Sequence, residues 1–379
     1  MMAERTGVLL DPYFSASKFH WFTQNLRNIQ EVIEAGQLRL GGTDSYVINR
    51  LTGGVIHATD AATGSRTALL NLRSGNWDKD LLSAFGLEAI MLPVIQPTTA
   101  NYGVIDFDDI DCSGIPITAD TVDAHAALFA QSCWDTTTVK ATYGTGAFIE
   151  VNTGTRVIEP DGKFPVFIAW DLGDGPRYTI EGGVFSVGSA IDWAVRSRWL
   201  PSVKESSELA RTVSDRGGVL FIPCFTGLSA PHWVSSARAG IFGLGIDTED
   251  GHIARALLDG IAFQCSQVIL ELNEKLDNTI QTVRADGGPS TNEYLMQTQA
   301  DLLGMPIEVS LEPNMTALGA GYLAAIGADA MTVDDVASIK LDYSTYEPRI
   351  GSDQRELEWA EWRRGVNAIL NLTEIQIHS

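Results

Sequence analysis

From Val139 onward the chain alternates short β-branched runs with helix-period segments, and this alternation restricts the fold more than any other feature. The stretch VKATYGTGAFIEVNTG has β-branched and aromatic residues on both sides of Gly144 and Gly146, so it reads as a hairpin closed by a glycine turn. GGVLFIPCF is a short apolar run of the kind a buried strand uses. His252 to Glu274 lines up Ile253, Leu257, Ile261, Cys265, Ile269 and Leu272 along one side of a long helix. TVRADGGPSTNEYLMQTQADLLG repeats the order of strand, turn and helix, with Gly287-Gly288 in the turn, Asn292 opening the helix and Gly304 near its end. Thr316 to Ala328, rich in small residues, predicts a helix packed closely against a neighbour. Strands alternating with helices pack as an α/β architecture.

The first third is less regular. Phe19, Phe22, Leu26, Ile29 and Ile33 follow spacings of 3, 4, 3 and 4, which predicts one amphipathic helix over 14–33. VIDFDDID (104–111) is an acidic connector. GIPITADTVDAHAALFAQ then reads as a short strand, a turn at Asp120 to Asp123, and a helix through Gln131. Asp120 and Asp123, one helical turn apart, admit two readings. As a carboxylate pair, one member would gain proton affinity and serve acid/base chemistry. As a helix start, Asp120 caps and Asp123 complements the dipole. His125 has no partner at ligand spacing and reads as a core or helix-surface histidine.

The 379 residues suit two domains of roughly 150 each. With 26 Lys and Arg against 48 Asp and Glu, the formal net charge of −22 opposes nucleic acid and anionic membranes as partners. Cys112, Cys133, Cys224 and Cys265 show no CxxC and no ligand spacing, so they read as reduced thiols of a cytoplasmic protein. No signal-peptide pattern and no run of roughly 18 consecutive apolar residues occurs. Neither glycine turn fits GxxxxGK[ST] or GxGxxG. Each is either a plain turn or a place where backbone approaches a phosphate or nucleobase closely.

Four ordered stretches carry a resemblance. DPYFSASKFHWFTQN (11–25), YGTGAFIEVNTG (143–154), FTGLSAPHWVSSARAGIFGL (225–244) and DGGPSTNEYLMQTQADLLG (286–304), the last followed by TALGAGYLA, resemble the FGGY family of carbohydrate kinases, closest to its glycerol kinase branch. The resemblance implies an actin-like (ribonuclease H-like) α/β fold whose two domains close over a cleft for ATP and a polyol. It divides the chain into a polyol-binding part, 1–131, and a nucleotide-binding part, 132–379. It implies ATP-dependent phosphorylation of glycerol, with Asp123 taking the proton from the attacking hydroxyl and Asp120 ranking second as base. Tyr13 would bind glycerol beside Asp123, and Phe148 would pack against its carbon face. Thr145, Gly188, Gly288 and Asn292 match nucleotide-holding positions, and Asp192 stands where the family has a glutamine near the adenine. ATP and Mg²⁺ are the implied cofactors, and relatives that form dimers or tetramers leave a homo-oligomer open.

The departures define further expectations. The family's opening Asp-x-Gly-Thr-[Ser/Thr] hairpin, which anchors Mg²⁺, and the Arg-Glu pair and Trp that bind polyol have no counterpart in this chain. No metal ligand is therefore assigned, the N-terminal domain is expected to be incomplete, and this polypeptide alone is expected to phosphorylate glycerol negligibly. Val122 replaces a glycine, Ala124 a glutamine and Pro289 a small residue, which keeps open a non-catalytic protein that binds a nucleotide or a partner. A kinase of another sugar or polyol is disfavoured by FTGLSAPHW. VIDFDDIDCS replaces a basic glycine-rich loop, so no response to sugar phosphates is expected.

Overall fold

The computed structural model describes residues 2–106 and 112–377. The expectations for the acidic connector and its effector loop fall largely on 107–111, outside the described residues. Two compact units are present: Met1–Asp135 with Asn152–Ile180 and Asn314–Lys340, and Thr136–Val151 with Glu181–Pro313 and Leu341–Ser379. The first boundary lies close to the expected division after 131. The units are nevertheless not consecutive in sequence, because the strands Ala147–Gly154 and Pro176–Val184 each run on from one unit into the other.

In the first unit the single helix expected over 14–33 is two helices, Ser15–Asn25 and Ile29–Glu34. Leu26 is extended and Asn28 is left-handed at φ 59°, a conformation Asn tolerates better than most residues. The break lets Phe19 and Ile29 be buried while Phe22 and Leu26 stay exposed. Val8, Phe14, Phe19, Leu69, Leu82 and Phe167 lie in one core of this unit. The strand expected before Asp120 is reduced to isolated bridges, Thr99 with Ala119 and Val104 with Pro116. Pro116 has no N–H to give a ladder there. A two-stranded parallel pair joins Ala58–Asp60 to Val94–Gln96.

The helix Asp123–Ala130 packs against Met315–Gly327. This approach is backbone-close, as the small residues predict: a Cβ on Gly319 would sit 1.8 Å from the Ala126 carbonyl oxygen, and one on Gly327 2.0 Å from that of Thr118. The Thr118 hydroxyl donates to the Ala324 carbonyl at 2.7 Å. Leu128, Phe129, Trp170 and Leu323 fill the core beside the pair.

The second unit is built on a mixed sheet. Thr138–Tyr143 pairs parallel with Thr282–Gly287, which pairs parallel with Ile307–Ser310, and Tyr343–Tyr346 closes that edge antiparallel. On its other side Thr138–Tyr143 pairs antiparallel with the hairpin partner beginning at Ala147. The helix Glu293–Leu303 makes the crossover between the parallel strands, capped by Asn292 and stopped by left-handed Gly304. The helix Asp250–Lys275 is long and apolar enough to cross a bilayer, yet 72% of its apolar window is buried inside the protein. Its burial is that of a core helix. The four cysteines are free thiols, and burial pushes Cys224 up to about 11 and Cys265 up to about 12, which keeps both unreactive near neutrality.

Candidate active site

Three glycine-bearing segments meet in the second unit. The turn Gly144-Thr145-Gly146 joins Thr138–Tyr143 to Ala147–Gly154, with Gly144 N–H donating to Gly146 O at 2.7 Å. The helix Gly188–Arg196 starts on this turn: Val187 and Ser189 N–H donate to Thr145 O at 3.0 and 3.1 Å, and Gly188 N–H donates to Gly144 O at 3.0 Å. A Cβ on Gly188 would lie 2.6 Å from Gly144 O and 3.5 Å from Pro289 Cγ, so the second glycine turn reaches the same place. Gly287 has φ +93°, and a Cβ there would fall 1.9 Å from Tyr143 O on the paired strand. Only glycine fits that register.

The side chains divide into exposed and committed. Thr145, Asp192 and Gly288 are exposed around this convergence, and Phe148 projects from the hairpin at 46% exposure. Asn292 is buried. Its Oδ1 accepts Leu295 N–H at 3.0 Å and its Nδ2 donates to Ser206 Oγ at 3.0 Å, so its amide already holds the helix start. Pro289 occupies the first turn of the 3-10 segment Gly288–Thr291, where proline's fixed φ is accommodated.

In the first unit Tyr13 stands on the loop before Ser15–Asn25, 62% exposed, with its ring edge-on to Phe14 at 5.4 Å. Asp11 Oδ1 accepts the Tyr13 N–H at 2.7 Å, and Lys18 Nζ donates to the Tyr13 carbonyl at 2.7 Å. Asp123 is the exposed first residue of Asp123–Ala130, and its Oδ1 accepts Ala124 N–H at 2.7 Å. Val122 sits before it at φ −74°, ψ 138°, ordinary extended backbone that needs no glycine. His125 is buried in the same helix.

Asp120 gains proton affinity, as the pair reading expected of one member, but from burial, Asp60 and Asp44 rather than from Asp123, and it does not cap the helix. The cap position belongs to Val122, which supplies no side-chain cap, and the Asp120 carboxyl is engaged by the Asp60 N–H instead. Its Oδ2 accepts the Asp60 N–H at 2.9 Å, 60 residues away in sequence, and its own N–H donates to Thr98 O at 3.0 Å. Asp60 caps the short helix Ala61–Ser65 through Thr63 N–H at 2.7 Å and accepts the Thr98 hydroxyl at 2.8 Å. Asp44, in the first turn of Thr43–Leu51, accepts the Thr59 hydroxyl at 2.5 Å and lies within hydrogen-bonding reach of Asp120. Burial, with the Asp60 and Asp44 charges adding to it, pushes Asp120 up to about 9, and burial pushes Asp60 up to about 6. A carboxyl that holds its proton at neutral pH cannot accept another, so Asp120 is unsuited to act as base. As a Mg²⁺ site the group does not fit: both Asp60 oxygens are already engaged, Asp60 is fully buried, and Mg²⁺ needs near-octahedral oxygen donors with retained water. The one signal available in sequence was the Asp-x-x-Thr start of the small helix at Asp60.

Residues 139–328 match the FGGY family of carbohydrate kinases, C-terminal domain, and residues 1–130 match its N-terminal domain. Glycerol kinase 2 of Thermotoga maritima is 37% identical over 369 residues, covering 97% of this chain and 74% of that protein. The glycerol kinase of Alkalilimnicola ehrlichii is 40% identical over 368 residues, with the same 97% and 74% coverage. The crystal structure of Plasmodium falciparum glycerol kinase with ADP superposes with a TM-score of 0.93 at 32% identity, over 97% of this chain and 74% of that one. Xylulose kinase of Lactobacillus acidophilus, at 21% identity and TM-score 0.83 over 98% and 74%, shares the fold. Because the N-terminal domain matches from residue 1 to 130, the expectation of an incomplete N-terminal domain is not supported. With both family domains represented and the actin-like two-domain fold of a glycerol kinase, the chain belongs to the FGGY family of carbohydrate kinases.

Proposed function

We propose that the protein transfers the γ-phosphoryl group of ATP to a hydroxyl of glycerol, with Asp123 as the general base. The observation that carries this reading is the likeness to glycerol kinases, 37–40% identical across nearly the whole chain, with a glycerol kinase–ADP structure at TM-score 0.93. Phosphoryl transfer asks the protein chiefly to position groups and to orient or deprotonate the nucleophile. Asp123 is an exposed carboxylate at a helix start, and Tyr13 is exposed in the same unit. Thr145, Gly188, Asp192 and Gly288 would hold the nucleotide at the glycine convergence, Asn292 would brace it, and Phe148 would face the polyol. The parts 1–131 and 132–379 would be the polyol and nucleotide domains, a division supported by the limits of the family matches. Mg²⁺ would accompany the nucleotide, with no described carboxylate assigned to it. A cytoplasmic location is part of this reading, in keeping with four free thiols.

The test is formation of glycerol 3-phosphate from glycerol and ATP by the purified chain, followed by a coupled assay. No product with glycerol, together with turnover on a pentulose, would move the substrate class. ADP binding with no turnover on any polyol would favour the non-catalytic reading. One variant probes the nucleotide side. Gly188→Ala places a Cβ 2.6 Å from Gly144 O, and moving a backbone carbonyl by that much is expected to weaken ADP binding about tenfold or more. Calorimetric titration checks it, and unchanged affinity with a native circular dichroism spectrum would remove the convergence from the binding site.

A further inference from the structure

We propose that Asp120 is a positioning residue that works with its carboxyl protonated, donating to Asp44 while accepting the Asp60 N–H, and so fixes the junction that carries Asp123. The inference rests on the reading of Asp123 as base. Asp44 Oδ1 is buried with no hydrogen-bond partner, its Oδ2 is taken by the Thr59 hydroxyl, and the neighbouring Asp120 side chain can supply the missing donor only when it is protonated. Two ionised carboxylates side by side in a buried setting repel, whereas one proton between them makes a charge-assisted hydrogen bond. Asp60 does not offer that proton, since both of its oxygens accept hydrogen bonds from Thr63 and Thr98.

The surroundings keep the proton in place. Asp44 faces Asp120 from Thr43–Leu51, Asp60 from the end of Ala58–Asp60 and Tyr102 from the loop after Val94–Gln96, while Asp171, at the end of Val166–Asp171, acts on Tyr102. The Tyr102 hydroxyl donates to Pro97 O at 2.7 Å, and burial followed by the Asp60 charge raises it, so it stays neutral. Asp171 N–H donates to Thr98 Oγ1 at 3.0 Å, which closes the network onto Asp60. His57 stands near Asp44, and burial, then the Arg39 charge, lowers it toward the neutral form. Asp120 is thus pinned at its N–H by Thr98 and at its carboxyl by Asp60 and Asp44, three residues before Asp123. Losing its proton sets a second charge against Asp44 and loosens the junction.

The sign follows from proton binding. The folded protein holds a proton on Asp120 up to about pH 9 that the unfolded chain releases near its ordinary 3.8, so the contribution to stability is fullest below about 4 and is lost as pH rises through about 9. Asp120→Asn keeps both contacts, accepting from Asp60 and donating to Asp44, without a titrating proton. Asp120→Ala removes both. The experiment measures kcat, KM and the thermal midpoint of the two variants and the wild type from about pH 6 to about pH 10. The wild-type kcat is expected to fall about tenfold per pH unit above its high-pH limit while KM holds, and Asp120→Asn is expected to lose that limb and the accompanying decline in midpoint. Asp120→Ala is expected to lower kcat by about 10-fold to 100-fold at every pH, with Asp120→Asn restoring most of it. Superimposable profiles for wild type and Asp120→Asn, or an Asp120→Ala enzyme equal to wild type, would overturn the proposal. If the wild type forms no glycerol 3-phosphate, the proposed function fails and positioning fails with it. The proton itself is still read by infrared spectroscopy: a protonated-carboxyl band at neutral pH that Asp120→Asn removes supports it, and no such band refutes it.

Discussion

Asp123→Asn is expected to lower the kcat for glycerol 3-phosphate formation by about 10³-fold while leaving ADP affinity within about twofold. The substitution keeps the shape of the side chain, and its amide oxygen still accepts the Ala124 N–H that the carboxylate accepts at 2.7 Å. What it removes is the basic oxygen turned to solvent from the first residue of Asp123–Ala130. Because the glycine convergence belongs to the other unit, nucleotide affinity serves as the internal control. A coupled product assay and a calorimetric ADP titration on the same preparations read the two quantities. Turnover above about a tenth of wild type would take Asp123 out of the role of base. Asp120 is a poor substitute, since burial beside Asp60 and Asp44 pushes its carboxyl up to about 9.

The glycine turns were legible because their chemistry is local. Gly287 at φ +93° in a Gly-Gly turn, and Gly144 and Gly146 between two β-branched strands, leave the same mark in any fold that uses them. Gly188 carries no such mark. It lies at a helix start, and its value comes from Gly144 O and Pro289 arriving from elsewhere in the chain. The break at Leu26 to Asn28 was hidden because the apolar spacing stays in phase across it, and a single left-handed Asn is a weak signal against five apolar residues. Asp120 illustrates the opposite problem. An aspartate before a helix ordinarily caps it, and only the tertiary arrival of the Asp60 N–H, 60 residues away, offers it a better partner. The interleaved units were equally out of reach, because nothing local tells 152–180 and 314–340 to return to the first unit.

Gly319→Ala is expected to destabilise the protein by about 2–3 kcal/mol, against the sign that helix propensity alone would give. Alanine is favoured over glycine inside a helix by roughly 1 kcal/mol, so an unconstrained glycine in Met315–Gly327 should be improved by the change. Gly321 is that glycine. It lies in the same helix, and a Cβ there meets nothing within 4 Å. Gly319 instead faces the Asp123–Ala130 helix, with its virtual Cβ 1.8 Å from Ala126 O and 2.5 Å from Ala126 C. The obstacle is backbone, which cannot rotate away as a side chain does, so the two helices must separate. Gly327 against Thr118 O at 2.0 Å shows the same closeness at the far end of the helix. Separation also moves the helix whose first residue is Asp123, so kcat should fall along with stability. Urea unfolding of Gly319→Ala, Gly321→Ala and wild type should therefore rank Gly321→Ala highest and Gly319→Ala lowest. If Gly319→Ala unfolds at the same or a higher urea concentration than wild type, the backbone contact between these helices does not hold in solution, and Asp123 must be positioned by something else.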